Sequence, residues 1–267
     1  MNVAVVGHVE WIEFIRVEAV PRAGEIVHSL EEWEEPGGGG GVASVQLRRL
    51  AGDVDLFTAL GGDDLGRRAR EELVAQGVTV HSSATTEPQR RAFTYVDDDG
   101  ERTITVLGQK LLPSGEDAGL PWEKLAGCDA VYFVSGDVAA LRAARRARVL
   151  VATARELPTL QRAGVQLDVL VASANDPGER YEPGDLTPAP ATVITTSGSL
   201  GGWVQPGGPF RAAPLPGPVG DAYGCGDCFA TGVAYALAAG QSMEHAVSLG
   251  ADLGAAALTR RGAWKHG

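Results

Sequence analysis

Positive charge is in short supply in this sequence of 267 residues: 23 Lys and Arg stand against 34 Asp and Glu, a formal charge of −11. Nucleic acid or an anionic membrane surface would need a basic patch, so neither is an expected partner. Cysteine is scarce too, with three in the chain, which points to a reducing compartment. Cys225 and Cys228 form C-x-x-C, but no second pair completes a zinc site and no thioredoxin-like context surrounds them. Both read as small residues packed beside a turn. No apolar run is long enough to span a bilayer. The motif G-x-x-x-x-G-K-[ST] is missing, which excludes a P-loop. So is G-x-G-x-x-G after the first strand pattern, which removes the main support for an NAD-dependent enzyme. Met1 to Gly7 lacks the charged region and cleavage site of a signal peptide, so the expected location is cytoplasmic.

Glycine is abundant, and 44% of the residues are hydrophobic, ample for a core. The chain is organised around Asp221-Ala222-Tyr223-Gly224-Cys225-Gly226-Asp227. Phe229, Val233 and Leu237 then recur every four residues, the spacing of one buried helix face, and Gly240 supplies a stop. Glycines before a helix leave backbone N–H groups uncovered at a positive dipole end, which suits anionic oxygens. Asp227 stands at the lip of that anion site, placed to take a proton from a hydroxyl attacking a phosphoryl group. The plainer reading is a glycine turn with Asp227 as helix N-cap.

The remaining pattern alternates strand and helix, which implies a parallel sheet covered on both faces. Asn2–Val6, Val54–Leu60, Ala130–Val134, Val149–Ala152, Leu167–Val171 and Ala191–Thr195 read as strands. Glu25–Trp33 is strand-like as well, and Arg91–Leu107 is a hairpin around an Asp/Gly turn. Asp63 and Asp64 fit as caps of a helix running to about Ala75. Glu10 and Glu13, just beyond the first strand, suit a substrate wall at the carboxyl end of a sheet, or are solvated charges. The five glycines Gly37–Gly41 before a helical pattern read as a flexible linker or as a close approach of backbone to ligand.

Several of these stretches, in order, resemble the ribokinase-like (PfkB-type) carbohydrate kinases, and the matches run from Gly7 to Gly262. Asp221 to Asp227 is similar to D-T-x-G-A-G-D, with Ala222 for Thr and Cys225 for Ala. Gly38, Gly39 and Gly41 fall on G-G-x-G-x-N; Gly40 and Ala43 replace the Lys and Asn that bind sugar hydroxyls there. Thr196, Gly198 and Gly201 fall on V-T-x-G-x-x-G, and Gly100-Glu101-Arg102-Thr103 on the tip of a lid hairpin. Asn175 and Glu179 stand near N-x-x-E, with the acid one residue late.

The resemblance implies a three-layer α/β/α sandwich with a mostly parallel central sheet and a small β-sheet lid. One domain would span 1–267, with lid strands from about 12–35 and 90–107. It implies an ATP-dependent kinase acting on a sugar or nucleoside. Asp227 would be the base, and Gly224, Cys225 and Gly226 would cradle the transferring phosphate. Glu10, Glu13, Gly38, Gly39 and Gly41 would hold the small-molecule substrate; Thr196, Gly198, Gly201 and Asn175 would hold ATP. Glu179 would help place Mg²⁺ through water. A monovalent cation near Asp221 and a homodimer through exposed lid edges stay open. Two alternatives remain: a same-fold kinase of a non-sugar alcohol such as a hydroxymethylpyrimidine, and a ligand-binding or regulatory protein without turnover.

Overall fold

The computed structural model describes residues 1–264. The chain enters through β1 (Val3–Val6), whose four side chains are all buried. It then builds β2 (Glu10–Arg16), β3 (Glu31–Gly37), α1 (Gly38–Ala51), β4 (Asp55–Leu60), α2 (Asp64–Ala75) and β5 (Thr79–Ala84). The hairpin β6 (Arg91–Val96) and β7 (Arg102–Leu107) follows, then β8 (Ala130–Phe133), α3 (Val138–Ala144), β9 (Val149–Thr153), α4 (Leu157–Ala163) and β10 (Val169–Ser173). The last elements are β11 (Thr192–Thr196), β12 (Gly202–Gln205), β13 (Gly208–Phe210), α5 (Cys225–Ala238) and α6 (Met243–Leu258).

Nine strands form one sheet in the order β13-β12-β11-β10-β9-β8-β1-β4-β5, parallel from β11 to β5, with an antiparallel edge at β12 and β13. Alternation along β1 divides the core. Val3 and Val5 pack with apolar residues of α1, α2, α5 and α6, whereas Ala4 and Val6 pack with Leu141 of α3 and Leu160 of α4. This is the three-layer sandwich. The order in which strands are added reverses between β1 and β8, since β1 leads to β4 and β5 on one side and β8 to β9, β10 and β11 on the other. A crevice at the carboxyl ends of strands opens at such a reversal.

Four strands, in the order β3-β2-β6-β7, form a separate small sheet. Its inner face buries Ile12, Phe14, Ala92 and Val96, and Phe14 stacks on Trp33 with centroids 4.9 Å apart. The expected strand at Glu25–Trp33 is displaced: β3 begins at Glu31 and runs to Gly37. Residues from Ile26 to Leu30 have no partner strand, and Ile26 is 92% exposed. Pro36 is tolerated in β3 because that strand is an edge. The glycine run is no linker, since Gly38 to Gly41 form the first turn of α1.

Candidate active site

Two helix starts meet at the crevice. Helix α5 begins after Gly224, whose φ of 73° is left-handed; a Cβ there would lie 2.8 Å from Val42 Cγ1. No side chain caps α5, so the first-turn N–H groups of Cys225 and Gly226 keep their donors, and nothing stands over Gly226. Asp227 is the third residue of the helix and not its N-cap, which sets the plainer reading aside. Its Oδ1 accepts a hydrogen bond from the Tyr132 hydroxyl at 3.2 Å. Burial pushes the Asp227 carboxyl up to about 6, and the charge of Glu179 adds to the rise; Tyr132, Arg102 and Arg155 oppose it.

Helix α1 presses its glycines onto the same point. A Cβ on Gly39 would sit 3.0 Å from Asp227 Oδ1 and 2.5 Å from Val134 Cγ1. Gly38, at φ 72°, donates its N–H to the Tyr223 hydroxyl at 2.8 Å, which ties α1 to the 221–224 loop. Gly41 turns elsewhere: a Cβ there meets only Trp264 at 3.8 Å and the Pro36 carbonyl carbon at 4.0 Å. Asp221 anchors the loop from below, accepting from Tyr223 N at 2.7 Å and Gly262 N at 2.6 Å. From above, Arg102 on the lid hairpin donates to the Ala222 carbonyl and lies 5.7 Å from the Tyr223 ring centre.

Glu10 and Glu13 part company. Glu10 is buried beside Gly38, paired with Arg90 Nε at 2.8 Å and 3.7 Å from His8 Nε2. Its carboxyl is raised by burial and pulled back by Arg90 and Lys110. Glu13 is three residues on, so it projects from the opposite face of β2, where it pairs with Arg91. The structure does not bring it to the crevice. His8 follows β1 and hydrogen-bonds through Nδ1 to Ser135 Oγ after β8 at 2.9 Å, bridging the reversal point. Burial, aided by Lys110, Arg90 and Arg155, holds that imidazole neutral.

On the far side of α5 lies a cavity of about 520 Å³. Thr196, Gly198 and Gly201 form one wall at the end of β11; Cys225 and Gly226 form its floor, and Ala251 and Ala255 of α6 close it. Asn175 is adjacent, its Nδ2 being 3.3 Å from a Cβ built on Gly198. Glu179 pairs with Arg155 at 2.8 Å and bears electrostatically on Asp227. Among the described residues no group of three His, Cys, Asp or Glu is arranged to hold a metal, and no helix is long and apolar enough to cross a membrane. Cys225 and Cys228 are free thiols, pushed by burial up to about 12 and about 11, so they serve packing.

Tyr132, Tyr223, Arg90, Arg102 and Arg155 were not expected at the site. Tyr132 sat inside an apolar strand pattern, and only its hydroxyl hinted at a polar end. Arg90 precedes β6, Arg102 opens β7 and Arg155 follows β9, so their reach into the crevice depends on the lid and on the turn after β9.

Compared with known proteins, the chain matches the pfkB family carbohydrate kinases over residues 1–176 and 184–265. It belongs to that family. A stretch of 104 residues, 38% of the chain, is 34% identical to the ATP-dependent ribose-1-phosphate kinase of Halopiger xanaduensis, of which it spans 34%. The chain thus covers about a third of that relative's length. Among solved structures, a microbiome-derived acarbose kinase superposes with a TM-score of 0.80 at 22% identity, over 99% of this chain and 94% of that one. The ribokinase of Arabidopsis thaliana, solved with ribose and ATP, superposes with a TM-score of 0.73 at 19% identity over 98% and 93% of the two chains. These likenesses establish the ribokinase-like fold.

Proposed function

We propose that this pfkB-family protein is an ATP-dependent kinase that transfers the γ-phosphoryl group to a hydroxyl of a sugar or nucleoside, with Asp227 as general base. One observation carries the reading: the Asp227 carboxylate stands where the uncapped start of α5 meets the glycine turn of α1. ATP would occupy the cavity of about 520 Å³, with Thr196, Gly198 and Gly201, and Asn175 beside them, toward its triphosphate. The N–H groups of Gly224, Cys225 and Gly226 would steady charge on the transferring phosphoryl oxygens. The acceptor would lie against Gly38, Gly39 and Glu10, its hydroxyl toward Asp227. A carboxyl titrating at about 6 is ionised at neutral pH yet still basic enough to take that proton.

Mg²⁺ is bound in kinases by one or two carboxylates, waters and substrate phosphates, and Glu179 would contribute a carboxylate to that set through water. When bound, it would neutralise and align the phosphates. A monovalent cation beside Asp221 would share that carboxylate with the N–H groups of Tyr223 and Gly262, each of which takes one lone pair of one oxygen.

A narrower acceptor class is favoured by the cations. Arg90 and Lys110 both bear on Glu10, and Gly40 and Ala43 stand where sugar-binding Lys and Asn are usual in the family. A sugar carrying a phosphate would use those cations, in keeping with the ribose-1-phosphate kinase relative. ADP release from ATP and Mg²⁺ across sugars, their phosphate esters and nucleosides tests the reading, with Asp227→Asn beside it. Turnover that vanishes in the variant is expected; equal turnover by both proteins overturns the assignment. The lid edge β7, with Ile104, Val106 and Leu107 each more than a third exposed, supports self-association through the lid. A monomer in sedimentation at micromolar concentration would dismiss that last point.

A further inference from the structure

The five residues Asn175 to Glu179 follow β10, and the acid stands one residue later than in the family's N-x-x-E. In a short irregular turn such a shift re-aims a side chain, so something must hold Glu179 toward the crevice. One guanidinium does so. Arg155, in the turn after β9, reaches the loop with Nη2 on Asp176, and meets Glu179 Oε1 with Nε at 2.9 Å and Nη2 at 2.8 Å. Asp176 in turn caps the turn Pro177–Glu179 by accepting from Gly178 N at 2.8 Å. Both contacts to Glu179 fall on Oε1, so Oε2 keeps its lone pairs, with no protein donor among the described residues. Of the charges around Asp227, that of Glu179 is felt most strongly, so this carboxylate lies within electrostatic reach of the crevice.

We propose that Arg155 is a positioning residue: by gripping one oxygen of Glu179 it aims the other at a metal-bound water beside the nucleotide phosphates, and so restores what the late acid would lose. This rests on the kinase reading above for the presence of a metal–nucleotide complex. Arg155 needs no contact with the substrate. A carboxylate acting through water depends on orientation, and removing the partner that orients an outer ligand weakens metal binding about 10- to 100-fold. A neutralising role would do the opposite, since freeing the Glu179 charge would tighten the metal.

Binding of Mn²⁺ to the ADP-saturated protein, followed by electron paramagnetic resonance, separates these outcomes without turnover. Arg155→Ala is expected to weaken Mn²⁺ about 10- to 100-fold and Glu179→Gln to match it. The double variant should lose no more than either alone, because both act through one oriented oxygen. Affinity for metal-free ADP and the melting temperature should stay near the wild-type values, which a merely structural residue would not leave alone. Arg155→Lys, which keeps the charge without the fork, should fall between, and it serves as the test protein if Arg155→Ala folds poorly. Unchanged or tighter Mn²⁺ in Arg155→Ala, additive losses in the double variant, or no ADP-dependent Mn²⁺ binding by the wild type would each overturn the inference. If the metal pattern holds but no acceptor is phosphorylated, the kinase reading fails and the role of Arg155 stands.

Discussion

The Tyr132 hydroxyl, at the middle of the central sheet, donates to Asp227 Oδ1 across 3.2 Å. Burial, with the Asp227 charge beside it, keeps that phenol un-ionised, so it is a donor at every working pH. It fixes one carboxylate oxygen and, on the proposed kinase reading, leaves the other for the acceptor. Because the bond favours the ionised carboxylate, it also holds the Asp227 pKa below where burial alone would put it.

Tyr132→Phe removes that bond, so the Asp227 carboxyl should rise above its value of about 6. Only the ionised form accepts a proton, so kcat/KM of the wild type should be flat above about 6 and fall below it. In the variant the fall begins nearer neutrality, and activity at pH 6 drops roughly five- to tenfold with little change at pH 8.5. A pH–rate profile with an unmoved acid limb would deny the bond any part in tuning the base.

Asp227→Asn should lower kcat by roughly 10²- to 10⁴-fold, the usual worth of a general base. It should also raise the melting temperature. Asp227 has a folded-state pKa above its unfolded value, so its ionisation costs stability that builds as the pH rises from about 4 and is full above the folded pKa of about 6. As the pH falls toward about 4, the folded protein takes up the proton first and that cost disappears. The variant's advantage in scanning calorimetry should thus be full at pH 7.5 and shrink toward pH 4.

Gly39→Ala and Gly41→Ala should behave differently though two positions apart. A methyl on Gly39 would intrude 2.5 Å from Val134 and 3.0 Å from the base, so kcat should fall roughly 100-fold through displacement of the reacting groups. A methyl on Gly41 meets only ordinary contacts, so that variant should keep its activity and gain about 0.5–1 kcal/mol in urea melts from helix propensity. Loss of activity in Gly41→Ala would return that glycine to the substrate site.

Asp221→Ala strands two backbone N–H groups, of Tyr223 and Gly262, at a site 1% exposed. A loss of about 2–4 kcal/mol in denaturant melts is expected. A loss under 1 kcal/mol would mean that water reaches the clamp.

Much of this was legible beforehand because local signals and tertiary demands agreed. Asp63 caps α2 through Gly66 N, as its place before that helix implied, and α5 begins just ahead of the Phe229, Val233 and Leu237 repeat. The uncapped, glycine-led start of α5 was readable because glycine positions carry backbone geometry directly. Side-chain direction was harder. Glu10 and Glu13 are equivalent as composition, yet the pleat of β2 sends them to opposite faces. The meeting of the arginines was hidden for a related reason: Arg90 precedes β6, Arg102 opens β7 and Arg155 follows β9, and no local pattern encodes that meeting.

The segment after α6 has a consequence in time. Gly262 N holds Asp221, Ala263 N donates to Glu35 on the lid strand β3 at 2.7 Å, and Arg49 of α1 donates to the Trp264 carbonyl at 3.1 Å. The 221–224 loop, helix α1 and the lid are thus laced together by residues that leave the ribosome after all the parts they join. A nascent chain can complete its sheet and both helix layers while the site stays unlaced, so competence for binding should come as a last, abrupt event of folding. Chains stalled before residue 260 should be compact but blind to ligand.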